Sequence, residues 1–315
     1  MILSEKLRTR VSIDNVRIDF LNHLLIEGLY IEDQGKDTLL YAGKAEVRIT
    51  DWFFVKKEKP VITYLGLSNA YGHLYRKSSS DVWNYQFVID AFDTGEPNKD
   101  TTRTKNEFEL DLKKLDIHNV RFHMDDAWVG SDMDFDIGDL QLDADELDLK
   151  KKKIDIDELA VKGFAFNTRD YEGGRPPRVK QRKPTDTTSF NPDGWDINFD
   201  NLSLENCAFF LTSGARPAIP NEFDPSHLGI STINLDAGNI WIKGDTLHGN
   251  IKHLSAKERC GLDVKELRAK VTVSPVASIC EDLYLETNNS VLQDYYAMRY
   301  HRFPDFNNYI TNVRM

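Results

Sequence analysis

The sequence predicts a mainly β protein, an elongated, repeating β-sheet groove or trough built from bent or bulged strands, with short helices only at the ends. Apolar and polar residues alternate with a period of two over most of the chain, which is typical of strands with one apolar face. An eight-residue pattern also recurs along the chain. In it, two alternating apolar residues precede an Asn or Gly, and two more follow with their spacing shifted by one position.

The Asn or Gly in this pattern is called the pivot here. In one clear copy, Leu24, Ile26, Leu29 and Ile31 surround Gly28. In a regular strand the one-residue shift would place the second apolar pair on the opposite face. A bulge or sharp bend returns the second pair to the same face as the first. Asn and Gly tolerate the left-handed backbone that such a bend needs. Further pivots are predicted at Asn15, Asn69, Asn119, Gly163, Asn206 and Asn239.

The predicted elements follow one another without a clear domain boundary, so residues 1–315 are expected to form one elongated β-repeat fragment of a longer protein. Residues 2–10 read as a short amphipathic helix. Strands are predicted at 11–20, 24–32, 38–50, 61–76, 83–89, in three successive segments of 107–167, and at 195–212, 228–243, 246–256 and 262–273. Insertions at 93–106 and 170–194 lack apolar periodicity and are expected to be loops. The tail from residue 288 is aromatic-rich and reads as helical, with a break at Pro304.

The composition argues against several classes of protein. Charged residues make up 29 % of the chain, and no apolar run approaches the roughly 18 residues of a transmembrane helix. The net charge of −11 argues against nucleic-acid binding. A basic cluster at 175–183 lies in a Pro- and Gly-rich stretch and is expected to be solvated. Cys207, Cys260 and Cys280 have unrelated spacings, which predicts neither a disulfide framework nor a zinc site.

Two polar stretches have features of metal sites. The alternating aspartates of Asp132–Gly138 resemble a calcium loop, but the glycine stands one position too late for an EF-hand, so an acidic strand face is the preferred interpretation. His118 and His123 would lie on opposite faces of an unbroken strand, and only a bend at the pivot between them would bring them together. No nucleophile motif or phosphate loop occurs. We therefore predict no enzyme, no metal and no cofactor.

The apolar positions of the repeat form the candidate functional surface. An apolar sheet face must be covered by another sheet, by helices or by a ligand. An open trough suits acyl chains, since each CH₂ group removed from water gains roughly 0.8 kcal/mol. The predicted groove lining is Leu24, Ile26, Leu29, Leu115, Ile117, Val120, Phe122, Leu159, Val161, Phe164, Phe166, Leu202, Leu204, Phe209, Ile240 and Ile242. The intervening Asp116, Arg121, Lys162 and Glu205 are expected to face water.

Two alternatives place the same residues in a different setting. A closed β-sandwich or solenoid, acting as a scaffold or glycan-binding module of the cell envelope, would hide them in a dry core. A carbohydrate-active enzyme on a β scaffold would need a cleft with two carboxylates about 5–10 Å apart. Because carboxylates are frequent throughout the chain, no single pair stands out.

Three strings resemble a known family. The string GLYIED at 28–33 is followed by DTLLYA at 37–42, and WNYQFVID occupies 83–90. The third is TNNS at 287–290, with Phe303 and Phe306 downstream. Together they are similar to TamB-type proteins, the AsmA-like translocation and assembly module proteins of the Gram-negative envelope.

The resemblance implies a β-taco in the periplasm and places this chain just past an N-terminal inner-membrane anchor, which is missing here. It implies phospholipid movement between the inner and outer membranes, together with outer-membrane protein assembly and protein secretion. The implied partners are phospholipid acyl chains, the inner membrane through the missing anchor, and an outer-membrane barrel protein bound by a missing C-terminal part.

Overall fold

The computed structural model describes residues 2–19, 22–50, 61–92, 109–176, 189 and 191–300. Within these ranges the protein is mainly β, as predicted: one mixed sheet of 15 strands accompanies two short helices. The helices are α1 (Ile2–Leu7) and α2 (Gln86–Phe92).

The strands are β1 (Val11–Ser12), β2 (Asn15–Asp19), β3 (His23–Glu32), β4 (Thr38–Ile49), β5 (Val61–Arg76), β6 (Glu109–Asp126), β7 (Ser131–Asp148), β8 (Lys153–Lys162), β9 (Ala165–Asp170), β10 (Asp196–Ser213), β11 (His227–Lys243), β12 (Thr246–Glu258), β13 (Asp263–Ser274), β14 (Ala277–Thr287) and β15 (Val291–Arg299). Strand neighbours in the sheet run β1-β3-β4-β5-β6-β7-β8-β10-β11-β12-β13-β14-β15, with β2 beside β3 and β9 beside both β7 and β10. The β5–β6 and β8–β10 pairs are parallel.

The chain divides into two compact units. The first unit comprises Met1–Leu140, Phe164–Pro176 and Leu211–Arg216. The second unit comprises Gln141–Gly163, Pro177–Phe210 and Pro217–Met315.

The left-handed pivots are confirmed at six of the seven predicted positions. Their φ angles are 65° at Gly28, 52° at Asn69, 49° at Asn119, 62° at Gly163, 50° at Asn206 and 51° at Asn239. The prediction is wrong at Asn15, which begins β2 and is not among the residues with positive φ. There the chain bends between β1 and β2, where the Asp14 amide donates to the Glu27 carbonyl over 2.9 Å.

Burial along β6 and β10 shows that the pivots Asn119 and Asn206 keep the apolar residues on one face. In β6, Ile117 is half-buried, His118 and Asn119 are both exposed, and Val120 is buried. The same order recurs in β10 over residues 204–207. Two consecutive exposed residues followed by a buried one are the signature of a one-residue slip in a strand of period two.

The strand predicted at 83–89 is wrong, because residues 86–92 form α2. Phe87, Val88 and Ala91 recur at helical spacing, and all three are half-buried while Ile89 is exposed. Alternation over so short a segment did not distinguish a strand from a helical stripe.

The helical tail predicted from residue 288 is also wrong where the chain is described. Residues 291–299 form β15, which pairs antiparallel with β14. The unpaired edge of β14 offers backbone partners, and this long-range pairing overrides the local helical preference. Residues 301–315, which include Pro304, lie outside the described residues, as do the predicted loop at 93–106 and residues 177–188 and 190 of the second loop.

Candidate functional site

The apolar face of the first unit is built from rows of directly paired residues across β3, β4, β5 and β6. One residue from each strand enters each row, and every member is apolar or glycine. The rows are Leu24, Val47, Leu65 and Leu115; Ile26, Ala45, Leu67 and Ile117; Leu29, Ala42, Ala70 and Val120; and Ile31, Leu40, Gly72 and Phe122.

The row beside the pivots is the best buried. Ala42, Ala70 and Val120 form a core cluster, and Leu29 and Ile117 pack against it. The pivots also lie side by side, because the Asn119 side-chain amide donates to the Asn69 side-chain oxygen over 2.8 Å. The predicted positions Leu29, Ile117 and Val120 are thus brought together.

An aromatic group continues the apolar face of the first unit. Phe135, which was not predicted, has its ring centroid 6.0 Å from that of Phe122, 6.5 Å from Phe164 and 4.7 Å from Phe166. The ring of Phe122 lies over Gly72, where an added Cβ would come within 3.0 Å of it. Three predicted lining residues therefore meet around one unpredicted phenylalanine.

In the second unit the predicted positions of β8 and β10 also pair directly. Leu202 lies beside Leu159, and Leu204 lies beside Val161, in a parallel register. In β11, Ile242 pairs with Leu247 of β12. In this unit, too, apolar residues of one strand thus lie beside apolar residues of the next.

The lining positions share one property, which is partial burial. Of the sixteen predicted residues, fourteen are half-buried and none is exposed, while Val120 and Val161 are buried with 9 % of their surface exposed. A residue that faces a second packed layer in a sandwich is normally buried far more completely. The lining positions of each unit therefore keep part of their apolar surface in contact with water.

The four polar positions predicted to face water lie on the opposite side of the strands, although the apolar Leu25 is buried on that same side. Asp116, Arg121, Lys162 and Glu205 are all exposed. Lys162 Nζ lies 2.8 Å from a carboxylate oxygen of Glu205, so the two neighbouring strands are joined by an ion pair on this face.

The aspartates that resemble a calcium loop pair instead with side chains of neighbouring strands. Asp132 accepts from Arg169 over 2.6 Å, and Asp136 pairs with Arg121 over 3.1 Å. His123 lies 2.5 Å from Asp134. Each of the three carboxylates is paired with a guanidinium or an imidazole. This pairing favours the interpretation of the segment as a strand with an acidic face.

The pivot between His118 and His123 brings both imidazoles to the polar face. His118 Nδ1 lies 2.6 Å from Asp139, and His123 Nδ1 lies 2.5 Å from Asp134. Both partners belong to β7. Among the described residues, no group of three or more His, Cys, Asp or Glu side chains is placed to hold a metal ion.

Glu46 is a buried carboxylate on the polar face. Glu46 has 7 % of its surface exposed, and Lys44 and Arg48 each lie 2.8 Å from its oxygens. Burial alone would raise the pKa of this carboxyl, but hydrogen bonds from Lys44 and Arg48 outweigh it and lower the pKa to about 2. Glu46 therefore stays ionised, paired with two cations of its own strand, β4.

The two longer strings behind the family resemblance meet in space. Asp33, from GLYIED, is fully buried, and its carboxylate accepts from the amides of Gly35 at 2.7 Å and Asp37 at 3.0 Å. Its second oxygen accepts from the side-chain amide of Asn84, in WNYQFVID, over 3.2 Å. The arrangement fixes the β3–β4 turn against the segment that leads into α2.

Sequence reasoning missed several members of the apolar face, although a signal for them exists. Read backwards, β4 carries the same eight-residue pattern around Gly43, and β7 carries it around Gly138. Because an antiparallel neighbour runs in the opposite direction, its apolar residues must follow the reversed pattern to continue the rows. The forward spacing also recurs around Thr232, and around Asp282 and Asp294 with serine in place of the first apolar residue; all three have positive φ.

Comparison of the chain with family models, with curated proteins and with solved structures gives no match. The family resemblance therefore depends on the three strings alone. None of the helices in the described part of the chain has the length and apolar character needed to cross a membrane.

Proposed function

We propose that the apolar sheet face binds phospholipid acyl chains, as part of a TamB-like protein of the cell envelope. The observation that carries the proposal is the half-burial of the lining residues in both units. In the first unit the four rows contain no polar side chain. An acyl chain needs no hydrogen-bond partner, so such a surface suits it better than it suits a polar ligand.

The energy available is sufficient without any polar recognition. A chain segment that leaves about ten CH₂ groups in contact with the face gains roughly 8 kcal/mol. Ordering the chain and the half-buried side chains offsets part of this gain. Binding strength then depends on chain length more than on headgroup chemistry.

The wider role is proposed from the three strings, two of which are in direct contact through Asp33 and Asn84. The chain would form a periplasmic section of a protein anchored in the inner membrane. It would carry phospholipid between the membranes and support outer-membrane protein assembly, with an outer-membrane barrel protein as partner. No catalytic residue is needed for this function.

Two adjacent phenylalanines of β10 provide a matched test. Phe209 belongs to the predicted lining and is half-buried, whereas Phe210 is 40 % exposed. Native mass spectrometry would be applied to wild type, Phe209→Asp and Phe210→Asp purified without detergent and incubated with phospholipid vesicles. We expect lipid on wild type and Phe210→Asp, and at least tenfold less on Phe209→Asp.

Circular dichroism serves as the folding control for each variant. Water reaches an open face, so a carboxylate there costs less than in a closed core, and Phe209→Asp should remain folded. A wild type that carries no lipid, together with a Phe209→Asp variant that does not fold, would contradict the proposal and favour the closed scaffold.

A further inference from the structure

The polar side of the sheet in the second unit contains a depression. Its volume is about 340 Å³, and it is lined by Asn250, Ile251, Lys252, Arg268, Ala269, Lys270, Asp282 and Tyr284. This volume is at the lower end of the range for small-molecule sites, which suits a headgroup-sized ligand.

Bulges in three adjacent strands coincide with the depression. Register shifts fall after Ile251 in β12, between Arg268 and Lys270 in β13, and between Glu281 and Leu283 in β14. Bulges re-aim side chains and are over-represented beside functional sites. Here they interrupt the regular alternation of the polar side chains at the depression.

The charges of the lining are unusual for this chain. Three cations and one carboxylate line the depression, although the chain as a whole carries a net charge of −11. Lys252 lies 3.1 Å from Asp236, and Arg268 lies 3.5 Å from Glu266; neither of these acids lines the depression. The two cationic side chains remain 47 % and 56 % exposed, so part of each stays open to a ligand.

The remaining lining groups favour a ligand that carries both signs of charge. Lys270 Nζ lies 2.7 Å from Asp282, whose side chain is 73 % exposed. The guanidinium carbon of Arg268 lies 4.9 Å from the ring centroid of Tyr284, which holds the guanidinium plane in place. A guanidinium and an ammonium match a phosphate, and a carboxylate matches an ammonium group.

We propose that this depression binds a phosphodiester that also carries an ammonium group, as in phosphoethanolamine headgroups. Lys252 and Arg268 contact the phosphate, and Asp282 contacts the ammonium group. The proposal does not depend on acyl-chain binding, because the depression and the apolar lining lie on opposite parities of the sheet.

Soluble headgroups without acyl chains test this site separately from the apolar face. Isothermal titration at low salt would use glycerophosphoethanolamine and glycerophosphoglycerol with the full chain. We expect both to bind, and Lys252→Gln combined with Arg268→Gln to weaken both at least tenfold. The control combines Lys243→Gln with Lys257→Gln, which removes the same charge from exposed residues outside the lining and should change affinity less than twofold.

Asp282→Asn tests the ammonium contact. Asparagine tolerates the left-handed backbone at this position, where φ is 51°, so the fold should be kept. We expect weaker binding of glycerophosphoethanolamine and unchanged or tighter binding of glycerophosphoglycerol. Absence of saturable binding by both compounds, an equal loss in the control variant, or an equal effect of Asp282→Asn on the two compounds would overturn the proposal.

Discussion

Replacing the pivot Asn206 tests why the apolar pattern shifts by one residue. Asn206 lies in β10 with φ of 50° and an exposed side chain. A β-branched residue is strained in this conformation, whereas glycine adopts it freely. Asn206→Val should therefore destabilise the protein, and Asn206→Gly should be nearly neutral.

The magnitude follows from the backbone conformation. A left-handed residue costs an L-amino acid with a Cβ atom roughly 1–2 kcal/mol. Because the Asn206 side chain is exposed, lost packing adds little. The free energy of unfolding of Asn206→Val should fall about 1–2 kcal/mol below that of Asn206→Gly.

Urea denaturation of both variants measures this difference, with equal slopes as the condition for comparing midpoints. Ser203, three residues earlier in β10, is exposed and is not among the residues with positive φ. At that position the order should reverse, because valine favours extended strands and glycine weakens them.

The reasoning would be refuted by equal midpoints for Asn206→Val and Asn206→Gly. It would also be refuted if valine and glycine ranked in the same order at Asn206 and Ser203. Either result would show that the pivot has no conformational requirement of its own.

Two further predictions concern buried carboxylates. The lowered pKa of Glu46 means that its stabilising contribution is present above pH 4.5 and is lost as the pH falls toward 2. Urea denaturation at a series of pH values measures this contribution. At pH 7, Glu46→Gln should be less stable than wild type by about 3 kcal/mol at most, and it should lose less stability than wild type between pH 5 and 2. An equal loss of stability in the two proteins over this pH range would contradict the prediction. Asp33→Ala should cost about 2–4 kcal/mol in the same assay, because it removes three hydrogen bonds accepted by a buried carboxylate. The exposed Asp37→Ala is its control, and equal losses in the two variants would show that the burial of Asp33 is unimportant.

The β class and the faces of most strands could be predicted from local pattern, because side-chain alternation is a property of single strands. The same holds for pivots such as Asn119 and Asn206, where residue type and spacing agree. The pivots at Thr232 and Asp282 escaped because the pattern admits only Asn or Gly at the pivot, although Asp also tolerates a left-handed backbone. At Thr232 only the spacing of the apolar residues indicates the pivot.

Pairing between distant segments could not be predicted from local pattern. The parallel neighbours β5 and β6 are separated by residues 77–108, and nothing in either strand specifies its partner. The assignment of β15 failed for the same reason, since the edge of β14 determines its conformation.

The failure at α2 was local, because Phe87, Val88 and Ala91 fit a helical stripe within a segment too short to distinguish the two periods.

Residue-by-residue photo-crosslinking along β6 tests the central claim most directly. A benzophenone amino acid would be placed in turn at positions 115 to 118 and 120 to 122, and the purified variants would be illuminated with phospholipid vesicles. The structure predicts lipid adducts at 115, 117, 120 and 122, and none at 116, 118 and 121, so the period of two should slip by one residue at Asn119. Adducts that ignore this slipped pattern, or no adducts at any position, would contradict the account.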